Sequence, residues 1–372
     1  MKIQRSKASV IFATAVGLSL IVGEGITRAG ERDSRAIARE ATLNGIEISE
    51  AVDFYVPPRT RSVTVSVIGD TKQLYALASF RTADGQEHVG WDQAKPPAPV
   101  LRHYYREEHI CHFPGKLKQC PRLGTFTITY PNKRGQSVPP GPTSLKVSSE
   151  AANGKVLVHV FLPEEDNART LHINLLIVSD QTKRFDSSLF IKKVEKIFEE
   201  ADIRVVIDNE LLLKGTPFSE ITELAEPKAR LSGAPTDPEE TPWNAPARLA
   251  QYGHQRLPSS TALNLYVIDS FGRRGIKGVS LGTPGPPMPS SYYFGVLIER
   301  SEGYDSMAYL AAHEICHFLG LDHLRRWSVS EKPYSDGLGD TGDTLSNLMG
   351  SGLDLTPEQV FVLTRSPLLK TK

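Results

Sequence analysis

The stretch that most constrains this chain is the run HEICHFLGLDH, which occupies residues 313–323. Residues four apart lie on one face of a helix, so His313 and His317 can direct both imidazoles at one metal ion. Gly320 permits a left-handed exit from the helix, which would bring His323 back as a third nitrogen ligand. Three protein ligands leave a fourth coordination position open, and this is the pattern of a catalytic rather than a structural zinc site.

Glu314 lies one step round the helix from His313, where its carboxylate can reach a water at the metal without ligating the metal. The alternative is that two histidines four apart on an apolar helix are partly buried surface residues. The apolar helical pattern of residues 306–312 and the extended motif favour the catalytic interpretation. We therefore predict His313, His317 and His323 as metal ligands and Glu314 as the catalytic residue.

Length and composition allow two domains and give no sign of a polyanion partner. The chain has 372 residues, enough for two separate cores. Its 43 basic and 43 acidic residues cancel to a formal net charge of zero. We therefore predict no nucleic-acid partner. The oligomeric state is left open by the sequence.

The N-terminus is typical of a secretory signal. Basic residues among the first seven precede an apolar run over 10–23, shorter than the roughly 20 residues that span a bilayer. Thr27-Arg28-Ala29 suits cleavage, so we predict a signal peptide over 1–29 and an exported protein, either secreted or in the periplasm or cell envelope. An uncleaved N-terminal anchor is the alternative. After signal cleavage we expect no membrane span.

The next part of the chain predicts β structure. Residues 30–50 are polar and mixed, which indicates a tether. From residue 51 onward, short runs that alternate polar and apolar residues are separated by turn signals, without a helical pattern between them. Such runs predict an all-β sandwich over 51–163 that loosely resembles a jelly-roll module.

Beyond the polar break at 163–167 the pattern becomes α/β. Residues 171–178 and 203–207 read as strands, and between them an amphipathic helix begins at Asp186 or Ser187, which together make a strand–helix–strand unit. The predicted buried face of that helix comprises Leu189, Ile191, Val194, Ile197 and Phe198.

The remainder alternates short elements with long irregular stretches. Residues 214–261 are rich in proline and predict at most a short helix or two, and residues 275–295 are rich in Gly, Pro and Ser. We predict a strand over 263–268, and a final helix from Pro357 with Thr356 as its N-cap.

The motif residues, together with Met349 in Asn347-Leu348-Met349-Gly350, resemble the metzincin clan of zinc metallopeptidases. The resemblance covers residues 171–372 and implies an α+β fold: a domain with a twisted sheet, the zinc helix, a methionine-containing turn beneath the zinc, and a C-terminal helix. Met349 would be structural in that turn and not a ligand. The stretch 336–341 is similar to the pappalysin-like branch of the clan.

What the resemblance implies is a secreted zinc-dependent endopeptidase that uses one Zn²⁺ and acts on a protein or peptide substrate. Glu314 would be the general base, taking the proton of the attacking water. Some members place a Tyr two residues after the methionine, where it assists the oxyanion. This chain has Ser351 there, so that role cannot be carried over.

Two further groups of residues leave alternatives open. Cys111 and Cys120 predict a disulfide in an oxidising compartment, and the alternative is that one of them caps the zinc as a latency device. The aspartates of a Gly/Asp-rich stretch can bind Ca²⁺ or form a solvated turn. These aspartates are Asp336, Asp340 and Asp343.

Two other functions compete with the endopeptidase. One is a binding or adhesion protein with a residual metal site, in which the β module matters most. The other is a zinc hydrolase of a non-peptide amide. The presence of Glu314 argues against a residual site, because a pure metal-binding site has no use for that carboxylate.

Overall fold

The computed structural model describes residues 34–44, 49–70, 74–89, 122–123, 125–131, 134–149, 153–165, 169–179, 185–213, 244–257, 262–271, 277–281, 295–301, 303–321 and 346–370. Several predicted features lie outside the described residues and stay predictions: the signal peptide over 1–29, the Cys111–Cys120 disulfide, the third ligand His323, and the three aspartates of the possible calcium loop.

The N-terminal part of the described chain is built from strands that form two antiparallel sheets. The strands are β1 (Ser34–Asn44), β2 (Val52–Val56), β3 (Val63–Ile68), β4 (Leu74–Arg81), β5 (Glu87–Val89), β6 (Arg122–Leu123), β7 (Thr125–Tyr130), β8 (Gly141–Ser149) and β9 (Asn153–Pro163). In one sheet the order is β1-β9-β3-β7, and in the other it is β2-β8-β4-β5 with β6 beside β4.

These two sheets pack face to face because alternate residues of their strands are apolar. Val63, Val65 and Val67 of β3 are fully buried, and they share one hydrophobic core with Leu145 and Val147 of β8 in the other sheet. Side chains on a strand alternate between its two faces, so a period-two pattern places one such set in the core.

The prediction of a tether over residues 30–50 is wrong for residues 34–44. Residues 34–44 form β1, which pairs antiparallel with β9 along its whole length. Its inward side chains are few: Ala41 and Leu43 are buried and Ile37 is partly buried. An edge strand whose backbone bonds come from a partner far along the chain needs few apolar residues, and a local pattern therefore does not reveal it.

The C-terminal part alternates strands and helices around a mostly parallel sheet with the order β11-β10-β12-β14-β13. Here β13 and the short β15 run antiparallel to their neighbours β14 and β10. The elements are β10 (Arg169–Val178), α1 (Ser187–Ile197), β11 (Ile203–Leu213), α2 (Asn244–Arg256), β12 (Leu263–Ile268), β13 (Gly278–Leu281), β14 (Gly295–Glu299), α3 (Tyr304–Leu319), α4 (Pro357–Leu363) and β15 (Leu369–Lys370).

Both faces of this sheet carry helices, which explains the continuous apolar run over residues 175–178 of β10. Leu171, Ile173, Leu175 and Ile177 face a core shared with α1, α3 and the C-terminal segment. The alternate residues of β10, beginning at Leu176, face a second core shared with α2. A strand buried on both faces reads as unbroken apolar sequence rather than as an alternation.

The helix α1 begins where it was expected, and its buried face differs from the prediction at one residue. Asp186 is its N-cap, and the Asp186 carboxylate accepts a hydrogen bond from the Leu189 N–H at 2.9 Å. Leu189 is exposed, although it was predicted to be buried, and the neighbouring Phe190 is fully buried. The predicted buried face was therefore wrong by one position at its start.

The two parts of the described chain meet through the C-terminal segment. The buried Arg61 guanidinium donates to the carbonyls of Ser366 (2.9 Å) and Leu369 (2.5 Å), and the Ser62 hydroxyl donates to the carbonyl of Arg365. The described residues, from Ser34 to Lys370, group as one compact unit. The fold is mixed α+β, with more sheet than helix. Within the described ranges, no helix has the length and apolar character needed to cross a membrane.

Candidate metal centre

Helix α3 carries the motif, and its end is set by glycine. Gly320 has a φ of 116°, in the left-handed region, and the Leu321 N–H donates to the Cys316 carbonyl at 2.9 Å while the Gly320 N–H donates to the His317 carbonyl at 3.1 Å. This pair of bonds is a Schellman cap, which glycine favours because it has no Cβ. The predicted helix and its left-handed exit at Gly320 are confirmed.

The two helical histidines lie side by side and their Nδ1 atoms face backbone carbonyls. The His313 Nδ1–H donates to the Leu348 carbonyl at 2.7 Å, and the His317 Nδ1–H donates to the Leu321 carbonyl at 2.9 Å. The ring centroids are 4.8 Å apart and the ring planes are nearly perpendicular. A carbonyl only accepts, so in each neutral ring the proton is on Nδ1 and the lone pair is on Nε2.

Burial also favours the neutral state of His313. It lowers the pKa of the imidazole, and the Leu348 carbonyl offsets this only in part. A neutral imidazole is the form that ligates a metal. The Leu348 carbonyl that orients this imidazole lies 35 positions further along the chain.

Glu314 lies next to these histidines but faces the edge of the sheet. Its side chain is 9% exposed and its carboxyl accepts a hydrogen bond from the backbone N–H of Ser280 in β13. Burial raises the pKa of Glu314 to about 8, and the bond from Ser280 opposes that rise. In the metal-free protein this carboxyl is therefore largely protonated at neutral pH.

Met349 lies in a turn that the buried amide side chains of Asn347 and Gln359 hold in place. The Asn347 carboxamide oxygen accepts from the Met349 N–H at 2.9 Å, and the Asn347 amide nitrogen donates to Gln359 Oε1 at 2.8 Å. Gln359 also completes the predicted cap of α4, where the Thr356 side chain accepts from the Gln359 N–H. Met349 itself is 1% exposed and packs in the core that α3 also lines.

Tyr309 connects the helix to that turn. Its hydroxyl donates to the Gly350 carbonyl at 2.9 Å, and its ring lies 6.0 Å from the ring of His313, one helical turn further on. Burial raises the pKa of Tyr309, and the negative charge of Glu314 adds to the rise. The turn and the histidine face of α3 are thus joined at two points, through Leu348 and through Gly350.

The described part of the site fits a zinc ion, although it does not complete a ligand set. Both Nε2 atoms belong to rings fixed on neighbouring turns of one helix face, and imidazole nitrogen is a preferred zinc ligand. Among the residues that the structure describes, no group of three or more His, Cys, Asp or Glu side chains is placed to hold a metal ion. The third predicted ligand, His323, lies outside those residues.

Cys316 has the predicted role of a core residue. It lies between the two histidines along the helix, is fully buried, and carries a free thiol whose pKa is raised by burial. The thiol packs among apolar side chains of the core cluster on the far side of α3.

Sequence reasoning missed several groups that shape the site. The strand β13 lies inside the stretch 275–295, whose Gly, Pro and Ser content predicts no strand. A glycine within a short apolar run, Gly278-Val279-Ser280-Leu281, is a signal of close backbone approach. The carbonyls of Leu321 and Leu348 carry no signal, because a carbonyl contributes through the path of the backbone and not through residue type.

Comparisons with known proteins assign the chain to no family. No protein-family profile matches the sequence, and no curated protein matches it. The crystal structure of archaemetzincin from Methanopyrus kandleri matches with a TM-score of 0.28 and 12% identity, over 53% of this chain and 88% of that chain. The structure of IMPa from Pseudomonas aeruginosa in complex with an O-glycopeptide matches with a TM-score of 0.16 and 10% identity, over 79% of this chain and 31% of that chain. Likenesses at these scores support no argument about family or activity.

Proposed function

We propose that this chain is a zinc-dependent peptidase in which His313, His317 and His323 hold one zinc ion and Glu314 is the general base. The observation that carries the proposal is the arrangement of α3: two histidines whose Nδ1 atoms are hydrogen-bonded to backbone carbonyls, and a buried carboxyl beside them. A structural metal site does not need that carboxyl. A catalytic site needs a group that accepts and returns a proton.

The residues of the chain would divide the reaction between them. When bound, zinc would lower the pKa of a coordinated water and polarise the scissile carbonyl. Glu314 would accept a proton from the attacking water at its carboxylate and deliver that proton to the leaving amine. The cation would also lower the pKa of Glu314 from its metal-free value, because a nearby positive charge favours the carboxylate.

The remaining parts of the site would hold these groups rather than react. The carbonyls of Leu348 and Leu321 orient the two imidazoles, and second contacts of this kind tune a metal site. Met349 would pack in the turn without ligating the metal. The substrate we propose is a protein or peptide, and the predicted signal peptide leads us to place the reaction outside the cytoplasm.

The test compares two glutamate variants of the purified protein. In Glu314→Gln, hydrolysis of a general protein substrate such as casein should fall by about 10²–10⁴-fold, which is the usual contribution of general-base catalysis. The zinc content, measured by mass spectrometry, should stay at one ion per chain. The exposed Glu200→Gln serves as the matched control and should keep full activity.

Full hydrolysis by the Glu314→Gln variant would refute the assignment of the general base. A wild-type protein that binds zinc and cleaves no protein would point instead to a binding or adhesion protein with a residual metal site. Cleavage confined to small non-peptide amides would indicate a zinc hydrolase of non-peptide amides instead.

A further inference from the structure

The strand β13 forms one edge of the parallel sheet and lies directly against the side chain of Glu314. It pairs antiparallel with β14, with Gly278 opposite Ile298 and Leu281 opposite Gly295. Its start is anchored twice to Glu299, because the Lys277 carbonyl accepts the Glu299 N–H at 2.7 Å and the Lys277 ammonium pairs with the Glu299 carboxylate. The position of β13 relative to the sheet is therefore well defined.

The backbone groups of β13 alternate in direction along the strand. Because Lys277 directs its carbonyl at β14, Gly278 and Ser280 direct their backbone groups the other way. The Ser280 N–H meets the carboxyl of Glu314 and donates a hydrogen bond to it. A backbone donor that would otherwise be exposed at the sheet edge thus holds one rotamer of the glutamate.

At Gly278 the strand approaches Glu314 more closely than any other residue type permits. A Cβ built at this position would lie 2.8 Å from both Cγ and Oε1 of Glu314, and 3.2 Å from its Cδ. Ordinary contacts between carbon atoms are about 3.5–4.0 Å. The missing Cβ is the space that the glutamate side chain occupies.

We propose that β13 positions Glu314 for the reaction, with Gly278 providing the space for the carboxyl and the Ser280 N–H holding it in place. The proposal rests on the proposed function, because Glu314 is taken as the general base. It makes Gly278 and Ser280 positioning residues that act through Glu314. A carboxyl that has lost either constraint would sample other rotamers, and a displacement of about 1 Å can cost 10²-fold in rate.

The first experiment removes the Ser280 N–H by substituting proline, whose ring carbon Cδ replaces the amide hydrogen. Ser280→Pro lacks that donor, and proline is tolerated on an edge strand where the N–H faces away from the sheet. We expect kcat for a peptide substrate to fall about 10–100-fold, with KM within about threefold and zinc content unchanged. The exposed Glu200→Gln, which leaves β13 unchanged, is the control and should keep the wild-type kcat.

The second experiment measures the contact at Gly278 without reference to activity. Gly278→Ala is made in the wild type and in Glu314→Ala, and the thermal unfolding midpoint of each metal-free protein is recorded. The new methyl group clashes only where the glutamate side chain is present, so Gly278→Ala should lower the midpoint in the wild type and much less in Glu314→Ala.

Equal shifts in both backgrounds, or an unchanged kcat in Ser280→Pro, would overturn the positioning role. A wild-type protein without hydrolytic activity would refute the proposed function instead. The unfolding midpoints would still decide whether Gly278 and Glu314 compete for the same space, so the two failures can be told apart.

Discussion

At the scale of single residues, the candidate site depends on the surroundings of one histidine and one glutamate. His313 and Glu314 are neighbours in sequence, yet burial acts on them in opposite directions: it lowers the pKa of the histidine and raises that of the glutamate. Both shifts favour the uncharged form. Without a metal ion the site is thus close to neutral, and a bound cation would be the strongest charge within it.

This electrostatic state predicts how stability varies with pH in the metal-free protein. The folded pKa of Glu314, about 8, lies above the ordinary value of 4.5. The folded state therefore keeps a proton that the unfolded chain has released, and stability should fall as pH rises from 4.5 to 8. The full penalty, present above pH 8, is of the order of several kcal/mol, at about 1.4 kcal/mol per unit of pKa.

In Glu314→Gln this contribution should vanish. The difference in unfolding free energy between the variant and the wild type should be small near pH 4.5 and favour the variant increasingly up to pH 8. Urea unfolding across that range, with a chelator present, measures it. A difference that does not change with pH would contradict a raised pKa for Glu314.

At the scale of elements, the turn that holds Met349 is tied to α4 by a buried pair of amides. Asn347 and Gln359 are 1% and 0% exposed, and each bonds the other through both its amide nitrogen and its oxygen. The Gln359 oxygen also accepts from the Thr356 N–H at 3.0 Å. One glutamine therefore completes the cap of α4 and supports the turn that orients His313.

Gln359→Leu should consequently weaken two elements at once. It leaves the buried Asn347 amide and the Thr356 N–H without this partner, and each such loss costs about 1–3 kcal/mol. We expect a drop of about 2–4 kcal/mol in the free energy of unfolding, together with weaker zinc binding in a competition titration. Glu358→Gln, one residue earlier, keeps an acceptor oxygen and should change neither quantity. If Gln359→Leu is less stable but binds zinc with unchanged affinity, the cap of α4 does not support the metal site.

How far the elements could be predicted depends on how local their causes are. The helix that carries His313 and His317 and its end at Gly320 follow from spacing within a few residues. The strand β1 does not, because it is short of apolar residues and is held by β9, far along the chain. The strand β13 does not, because it is a four-residue strand within a stretch rich in Gly, Pro and Ser. The prediction that Leu189 is buried was also wrong, because one step along a helix decides which side chain enters the core.

At the scale of the whole molecule, the C-terminal segment connects the two sheet-rich parts. The strand β15 pairs with β10 of the mostly parallel sheet, and carbonyls from the same segment accept bonds from Arg61, two residues before β3. In return, the Arg365 guanidinium donates to the Arg61 carbonyl at 3.1 Å and lies 3.7 Å from Glu165. The junction is therefore polar and directional rather than a continuation of either core.

Arg61→Leu tests this connection. The change removes donors from buried carbonyls, and we expect a loss of about 2–4 kcal/mol in the free energy of unfolding, since bonds from charged donors contribute about 1.5–3 kcal/mol each. The exposed Arg39→Leu should have little effect. Calorimetry gives a second readout: wild type should unfold in one transition, and Arg61→Leu should begin to separate the two parts into distinct transitions. Full stability in Arg61→Leu would show that the junction contributes little.

The cap of α3 has a consequence for how far this site can be changed. Leu321 closes the helix with its N–H and receives the His317 Nδ1–H at its carbonyl, so the backbone of a single residue determines both where the helix ends and which nitrogen of the imidazole keeps its lone pair. A loop redesigned or exchanged after residue 320 would change which ring nitrogen of His317 carries the proton, even if every side chain of the motif were retained. Grafting the motif onto another helix would therefore need to carry the backbone path through Leu321 along with the histidines.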